Sequence, residues 1–200
     1  INMDELLSII LNTVTGLGVL NVERKGGIFI IEGDRMKLVS HLGHSKAFLE
    51  LHKDMKIGDC LCGIVAETGE VLISEDSAKD IRHTIVYPDA VPHGHIIVPL
   101  KAINKIAGVL YLYLAPDFKI DERKVKMLVS LGNQIGMVID NARLYEETKS
   151  LSLQDSLTGL ASRRLMDIMT ERSFARAKKY VSRLSVIMID IYHFKQYNDT

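Results

Sequence analysis

"IGDCLCGIVAETGEVLISED", residues 57–76, and "HIIVPLKAINKIAGVLYLYL", residues 95–114, decide the fold of this chain. In the first stretch the spacing predicts a short helix over 61–68, closed by Gly69 as a C-terminal stop. A short strand over 71–74 follows it. The second stretch holds two strongly β-like runs, 95–99 and 106–114, with Asn104 and Lys105 making the tight connection between them. Residues 77–94 are polar and irregular and carry Pro88 and Pro92, so they read as a long loop with a helical turn.

Working outward, Leu6, Leu7, Ile10, Leu11 and Val14 recur at helical spacing over 4–15. Gly26 and Gly27 open a β-like run at 28–31; 32–35 is turn-like, and 36–41 returns as the second strand of a hairpin. Residues 45–51 form a short helix candidate. On the other side, Asp121 begins the longest helix, expected to run to about residue 150. Val125, Leu128, Val129, Leu131, Ile135, Val138, Ile139, Ala142 and Tyr145 fall on one broad stripe. A helix of this length is expected to outrun its domain and pair with a copy of itself. "DSLTGLASRR", residues 155–164, then breaks the helix at Thr158 and Gly159, and Ser162 is placed to cap a new helix over 163–181. Residues 184–189 are apolar and β-branched, the pattern of a strand buried on both faces.

Acidic and basic residues balance at 25 each, so neither nucleic acid nor an anionic membrane is an expected partner. The longest apolar stretch, 106–115, is too short to span a bilayer, and no basic segment precedes residues 9–11 as a signal peptide would require. The start at Ile1 and the abrupt end read as a segment excised from a longer protein. Cys60 and Cys62 are too close in sequence for an unstrained disulfide, which points to a reducing, cytoplasmic compartment.

The two stretches at 57–76 and 95–114, with the Gly58–Gly63–Thr68–Gly69 spacing, resemble a GAF domain, the small sensory fold. "DSLTGLASRR" followed by "VIMIDIYHFKQYND", residues 186–199, resembles the opening of a GGDEF domain, the diguanylate cyclase fold. Serine stands at 162 where that family usually has asparagine, and keeps the capping chemistry. The expected fold is therefore α+β: a GAF-like central antiparallel sheet flanked by helices, a long C-terminal helical stalk, then the first helix and strand of a truncated GGDEF domain. The expected boundaries are 1–148 for the sensor, 149–155 for a helical linker and 156–200 for the GGDEF segment.

The resemblance implies a set of roles for the last stretch. Asp190 is the side-chain ligand of magnesium and the Ile191 carbonyl a second ligand. Lys195 lies near phosphate charge, Asn198 hydrogen-bonds the guanine edge, and Phe194 walls the pocket. The substrate is GTP and the product cyclic di-GMP, made by two domains facing each other in a homodimer. Family members often carry a second acid where Tyr192 stands. The Gly-Gly-Asp/Glu-Glu-Phe signature itself is not in the 200 residues, so the segment alone is expected to be inactive.

The sensor segment holds its own candidates: Cys60 and Cys62 at a helix start, and His83, His93 and His95 in and after the loop. A helix N-terminus favours thiolate, and two cysteines with three histidines form a set suited to a soft metal or iron. In a regular helix, residues two apart diverge by about 200°, so both thiols can ligate only if Cys60 precedes the helix. A small-molecule ligand is the other expectation for this pocket. The plainer alternatives are a small buried hydrophobe at Cys62, a surface side chain at His83 and an outward-facing one at His95. His41, His44 and His52 read as surface or loop residues; Met127, Met137, Met166, Met169 and Met188 read as core. Two rival functions remain: a scaffold with a degenerate output domain, and a histidine-kinase sensor, for which "DSLTGL" stands in place of a phospho-acceptor helix.

Overall fold

A computed structural model describes residues 3–88, 90–151, 153–155 and 158–190. They fall into two units, Ile1–Leu144 and Tyr145–Thr200.

The first unit is built on one six-stranded antiparallel sheet. Its strands are β1 (Gly26–Glu32), β2 (Arg35–Leu42), β3 (Asp54–Lys56), β4 (Leu72–Ser74), β5 (Gly94–Lys101) and β6 (Ile106–Leu114), in the spatial order β3-β2-β1-β6-β5-β4. β1 and β2 form a hairpin in which Glu32 pairs with Arg35, and Gly33 takes the left-handed position of the turn at φ 65°. β3 was not expected. Three residues are too few to show a period, and β3 exists because Arg35–Lys37 offer it a ladder.

Alternation along the central strands makes two cores. Ile28, Ile30, Ile96, Val98, Leu110, Leu112 and Leu114 point to one face, where Leu7, Leu11 and Val14 of α1 (Met3–Gly16) pack beside Leu128, Ile135 and Ile139 of the long helix. Phe29, Ile97, Val109, Tyr111 and Tyr113 point to the other face, under α2 (Lys46–His52) and α3 (Cys60–Thr68). With both faces covered, the two central strands are apolar almost throughout, as the sequence had them. Ser45 caps α2 by accepting from Phe48 N, and Gly69 ends α3 at φ 68° with its N–H on Val65 O.

The long helix, α4, spans Glu122–Leu151. It seats very close to β5: a Cβ on Gly132 would lie 2.8 Å from Pro99 O, and one on Gly136 would run into Lys101 O. Arg143 Nη2 donates to Ile31 O at 2.7 Å, and Lys105 pairs with Asp140 at 2.6 Å. The expected stripe is only partly core. Leu128, Ile135 and Ile139 are buried, but Val138 and Tyr145 are exposed. The methionines also depart from expectation: Met127, Met137, Met166, Met169 and Met188 are all exposed. Each stands beside apolar residues in sequence, but its angular position on the helix, or the lack of a covering element among the described residues, leaves it outside.

In the second unit, the described residues of the "DSLTGL" stretch form the turn that breaks the helix. Asp155 Oδ1 accepts from both Thr158 N and Thr158 Oγ1, Gly159 sits at φ 67°, and Ser162 Oγ accepts from Leu165 N to cap α5 (Arg163–Tyr180). α5 buries none of its residues. The strand expected at 184–189 is not formed; these residues are irregular and exposed. A strand needs a ladder partner, and the described residues of this unit supply none. Among the described residues, no helix is long and apolar enough to cross a membrane.

Candidate functional site

The strand-order face carrying Tyr111 and Tyr113 also receives His95, which pairs in register with Tyr113 across the β5–β6 ladder. The long loop before β5 folds back over this face. It is held by Ser77 N donating to His93 O at 2.7 Å, and by His93 N donating to Ser77 Oγ at 3.3 Å. The loop's outer turn is fixed by Arg82, whose Nε and Nη2 donate to the two carboxylate oxygens of Asp80 at 2.9 and 2.7 Å. That guanidinium holds the Asp80 carboxyl far below the usual carboxylate range. Next to it in sequence stands His83.

These elements bring three imidazoles together. One ligand nitrogen from each of His83, His93 and His95 lies within 4.8 Å of the others. His93 Nε2 and His95 Nε2 are 2.8 Å apart. His93 Nδ1 is 2.5 Å from Val91 O, an acceptor only, so the His93 proton sits on Nδ1 and its Nε2 lone pair faces His95. The proton between the two rings then belongs to His95 Nε2. That leaves His95 Nδ1 as a bare acceptor, and this atom is buried with no hydrogen-bond partner. Burial lowers the pKa of all three rings, so they are neutral at neutral pH. The His93 ring stacks on Tyr113, centroids 4.2 Å apart.

A partly open cavity of about 20 Å³ adjoins the cluster, enough for roughly one water molecule. His83, His95, Cys60 and Cys62 all line it. Cys60 opens α3 in the left-handed region, at φ 55°, which breaks the regular helical divergence and lets both cysteines border one space. The two thiols are free of any disulfide. One expectation fails here. Burial pushes the Cys62 thiol well above its usual pKa instead of leaving it as thiolate. The apolar wall of Phe29, Leu61, Ile97 and the tyrosines outweighs whatever the helix end contributes. Nor do the cysteines join the histidines as one ligand set: among the described residues, the group with converging metal-ligating atoms is the histidine trio alone.

The reading of His44 and His52 as surface or loop residues is corrected in part: His44 lies in the loop between β2 and α2 but is half-buried, and His52 is buried at the end of α2. His44, Phe48 and His52 stack in a column, with centroids 3.8 and 3.9 Å apart. His52 is buried and lines the cavity; His44 Nε2 lies 3.0 Å from Tyr111 Oη and 3.1 Å from Gly26 O. Burial, helped by Lys25, pulls the His44 pKa down to about 3. A signal for part of the column was present: spacing of four residues puts Phe48 and His52 on one face of α2, and His44 stacks on Phe48 from the loop just before it. His41 is exposed, as read.

Of the residues assigned to GTP and magnesium, Asp190 is exposed and follows irregular chain. Ile191, Phe194, Lys195 and Asn198 lie outside the described residues. A carboxylate is the right donor for magnesium, but one donor is not a site. The described residues therefore do not assemble a magnesium centre.

Comparison with known proteins completes the picture. Residues 1–140 match the family model for the GAF domain, and residues 152–200 match that for the diguanylate cyclase GGDEF domain. The chain is 29% identical over 133 residues to a diguanylate cyclase of Vibrio cholerae serotype O1, a match covering 66% of this chain and 38% of that protein. It is 35% identical over 111 residues to diguanylate cyclase DosC of Escherichia coli K12, covering 54% of this chain and 24% of that one. The chain thus spans well under half the length of either relative. Among solved structures, the GAF domain of an Acinetobacter phosphoenolpyruvate-protein phosphotransferase aligns with a TM-score of 0.61 at 21% identity, over 72% of this chain and 86% of that one. The free methionine-R-sulfoxide reductase of Neisseria meningitidis aligns with a TM-score of 0.57 at 17% identity, over 70% and 79%. At these identities the structural matches speak for the fold alone.

Proposed function

We propose, for a chain that belongs to the GAF domain family and continues into a partial GGDEF domain, that the intact protein is a diguanylate cyclase whose output is set by the occupancy of the GAF cavity. The carrying observation is the cavity on the inner sheet face, where three imidazoles, two thiols and two phenols join an apolar wall in lining one space. A purely structural domain gains nothing from desolvating so many polar groups. A small ligand or a metal in that space would change how the loop and α3 pack, and through the sheet how α4 is seated. α4 is the covalent path from the sensor toward the GGDEF segment.

In the output, Asp190 would supply one carboxylate and Ile191 one carbonyl to magnesium, which neutralises charge on the triphosphate. Lys195 would meet phosphate, Asn198 the guanine edge, and Phe194 the pocket wall. Joining two GTP molecules requires two such domains, so the working unit is a homodimer. The exposed apolar side chains Ile9 on α1 and Met127, Met137 and Val138 on α4 support an interface there. A cytoplasmic location goes with this reading, because GTP is there. The 200-residue chain by itself is proposed to be inactive, since it lacks the second acidic ligand and the signature loop. Tyr192, where the family often has an acid, favours a second reading in which the output domain is degenerate and the GAF part serves as a binding and dimerisation module.

The test is GTP turnover by the intact protein with magnesium, wild type against Asp190→Asn. Turnover by the wild type and its loss in the variant are expected. Equal turnover by both would remove the role of Asp190, and an inactive wild type would favour the degenerate reading.

A further inference from the structure

We propose that His83, His93 and His95 form a three-imidazole site for a first-row transition-metal dication, with an open coordination position beside the cavity that Cys60 and Cys62 line. The inference deepens the sensory reading of this cavity and rests on it only for what the metal would report.

Four observations carry it. The donors are all imidazole nitrogens, a set that suits zinc, iron, copper or nickel and not magnesium or calcium. The arrangement is nearly of the right size. Tetrahedral zinc with nitrogens at about 2.0–2.1 Å needs ligand atoms roughly 3.3 Å apart. The His93–His95 pair at 2.8 Å must open slightly, and the third nitrogen, within 4.8 Å, must close in. His83 can make that approach because it sits on the loop and is only half-buried. The outer shell is in place: His93 Nδ1–H donates to Val91 O, which fixes the tautomer with Nε2 free to ligate. Finally, the metal-free pairing leaves a deficit. Two buried rings share one proton, and His95 Nδ1 has no partner. With a metal on Nε2 of both rings, the His95 proton moves to Nδ1, so the same buried atom changes from an unpartnered acceptor to an unpartnered donor and the two rings no longer compete for one proton.

Three neutral ligands leave the metal's charge uncompensated in an apolar surround. The open position therefore favours a water, hydroxide or small anion, and a cavity of about 20 Å³ takes one ligand of that size. The cysteines stand next to that position and outside the ligand set, so the site is distinct from the thiol-based centre that the sequence pattern suggested.

The experiment uses the 200-residue chain, freed of metal with a chelator and titrated with Zn²⁺ alone by calorimetry, then with Co²⁺ by absorption. About one Zn²⁺ per chain is expected, with affinity weakened by roughly tenfold or more in both His83→Ala and His95→Asn. Stoichiometry should be unchanged in the double variant Cys60→Ser, Cys62→Ser. Co²⁺ should give ligand-field bands of a nitrogen site without a thiolate charge-transfer band. His83→Ala removes a half-buried loop side chain, and its thermal melting without zinc verifies folding before binding is read. The proposal is overturned by a wild-type chain that takes up no Zn²⁺, by affinity indifferent to both histidine variants, or by a thiolate band that disappears with the cysteines. None of these readouts involves GTP, so failure here leaves the cyclase reading standing, and an inactive cyclase leaves this site standing.

Discussion

His93 and His95 meet Nε2 to Nε2 at 2.8 Å, with both side chains almost wholly out of solvent. Only one proton fits between them and both rings are neutral, so protonating either one means placing a positive charge in that dry space. His83 stands beside them, and His44 and His52 lie on the same side of the sheet, all with pKa values lowered chiefly by burial. The site is a store of unprotonated imidazole, and its consequences are measurable.

The first is acid sensitivity. For a base whose folded pKa is lowered, the unfolded chain binds more protons between the two values, and stability falls as pH falls through that window. For His44 the window runs from the ordinary 6.5 down to about 3. The other four imidazoles act in the same direction. The lowered carboxylates Asp76 and Asp80 contribute only below their ordinary 3.8. Urea unfolding of the metal-free chain should therefore show a midpoint that drops between pH 7 and pH 5, well above the carboxylate range. His44→Phe, which keeps the stack on Phe48, should flatten the dependence. A midpoint constant down to pH 4.5 in the wild type would contradict the neutral-imidazole account.

A second prediction concerns how α4 lies on the sheet. Gly136 has no room for a methyl group, because Lys101 backbone oxygen and carbon occupy the place. Gly136→Ala should destabilise the chain by about 1–3 kcal/mol through overpacking. Gly16, at the end of α1, has nothing within 4 Å of the equivalent position, so Gly16→Ala should be neutral or stabilising. Opposite signs in denaturant unfolding are the expected result; equal effects would mean that the close seating of α4 is not what Gly136 provides.

The third is the interface. Ile139 is fully buried against the sheet, so a charge there would unfold the domain rather than split a dimer. Met137 and Val138 are 49% and 39% exposed and stand on the free side of α4. On the proposed α4 interface the wild type should sediment as a dimer and the double variant Met137→Glu, Val138→Glu as a folded monomer; a wild-type monomer would remove the interface. A dimer that survives this change moves the interface off α4.

Much of this protein was legible in its sequence because the signals are local. Gly69 and Ser162 end and begin helices by backbone geometry and one hydrogen bond each. Asp155, Thr158 and Gly159 close their turn within a few residues. The runs at β5 and β6 are apolar because both faces are covered, and the sequence carries that directly. Tertiary structure decided the rest. His83 stands ten residues before His93 and meets it because the loop is tied back through Ser77. Cys60 and Cys62 share a cavity wall only because Cys60 takes a left-handed backbone, and their environment, not the helix end, sets the Cys62 thiol. Residues 184–189 have a strand's composition and no strand, since a ladder is a property of two segments and not of one. Side-chain identity fixed which groups could titrate or ligate; burial, which depends on every element packed around them, decided in which protonation state they are held.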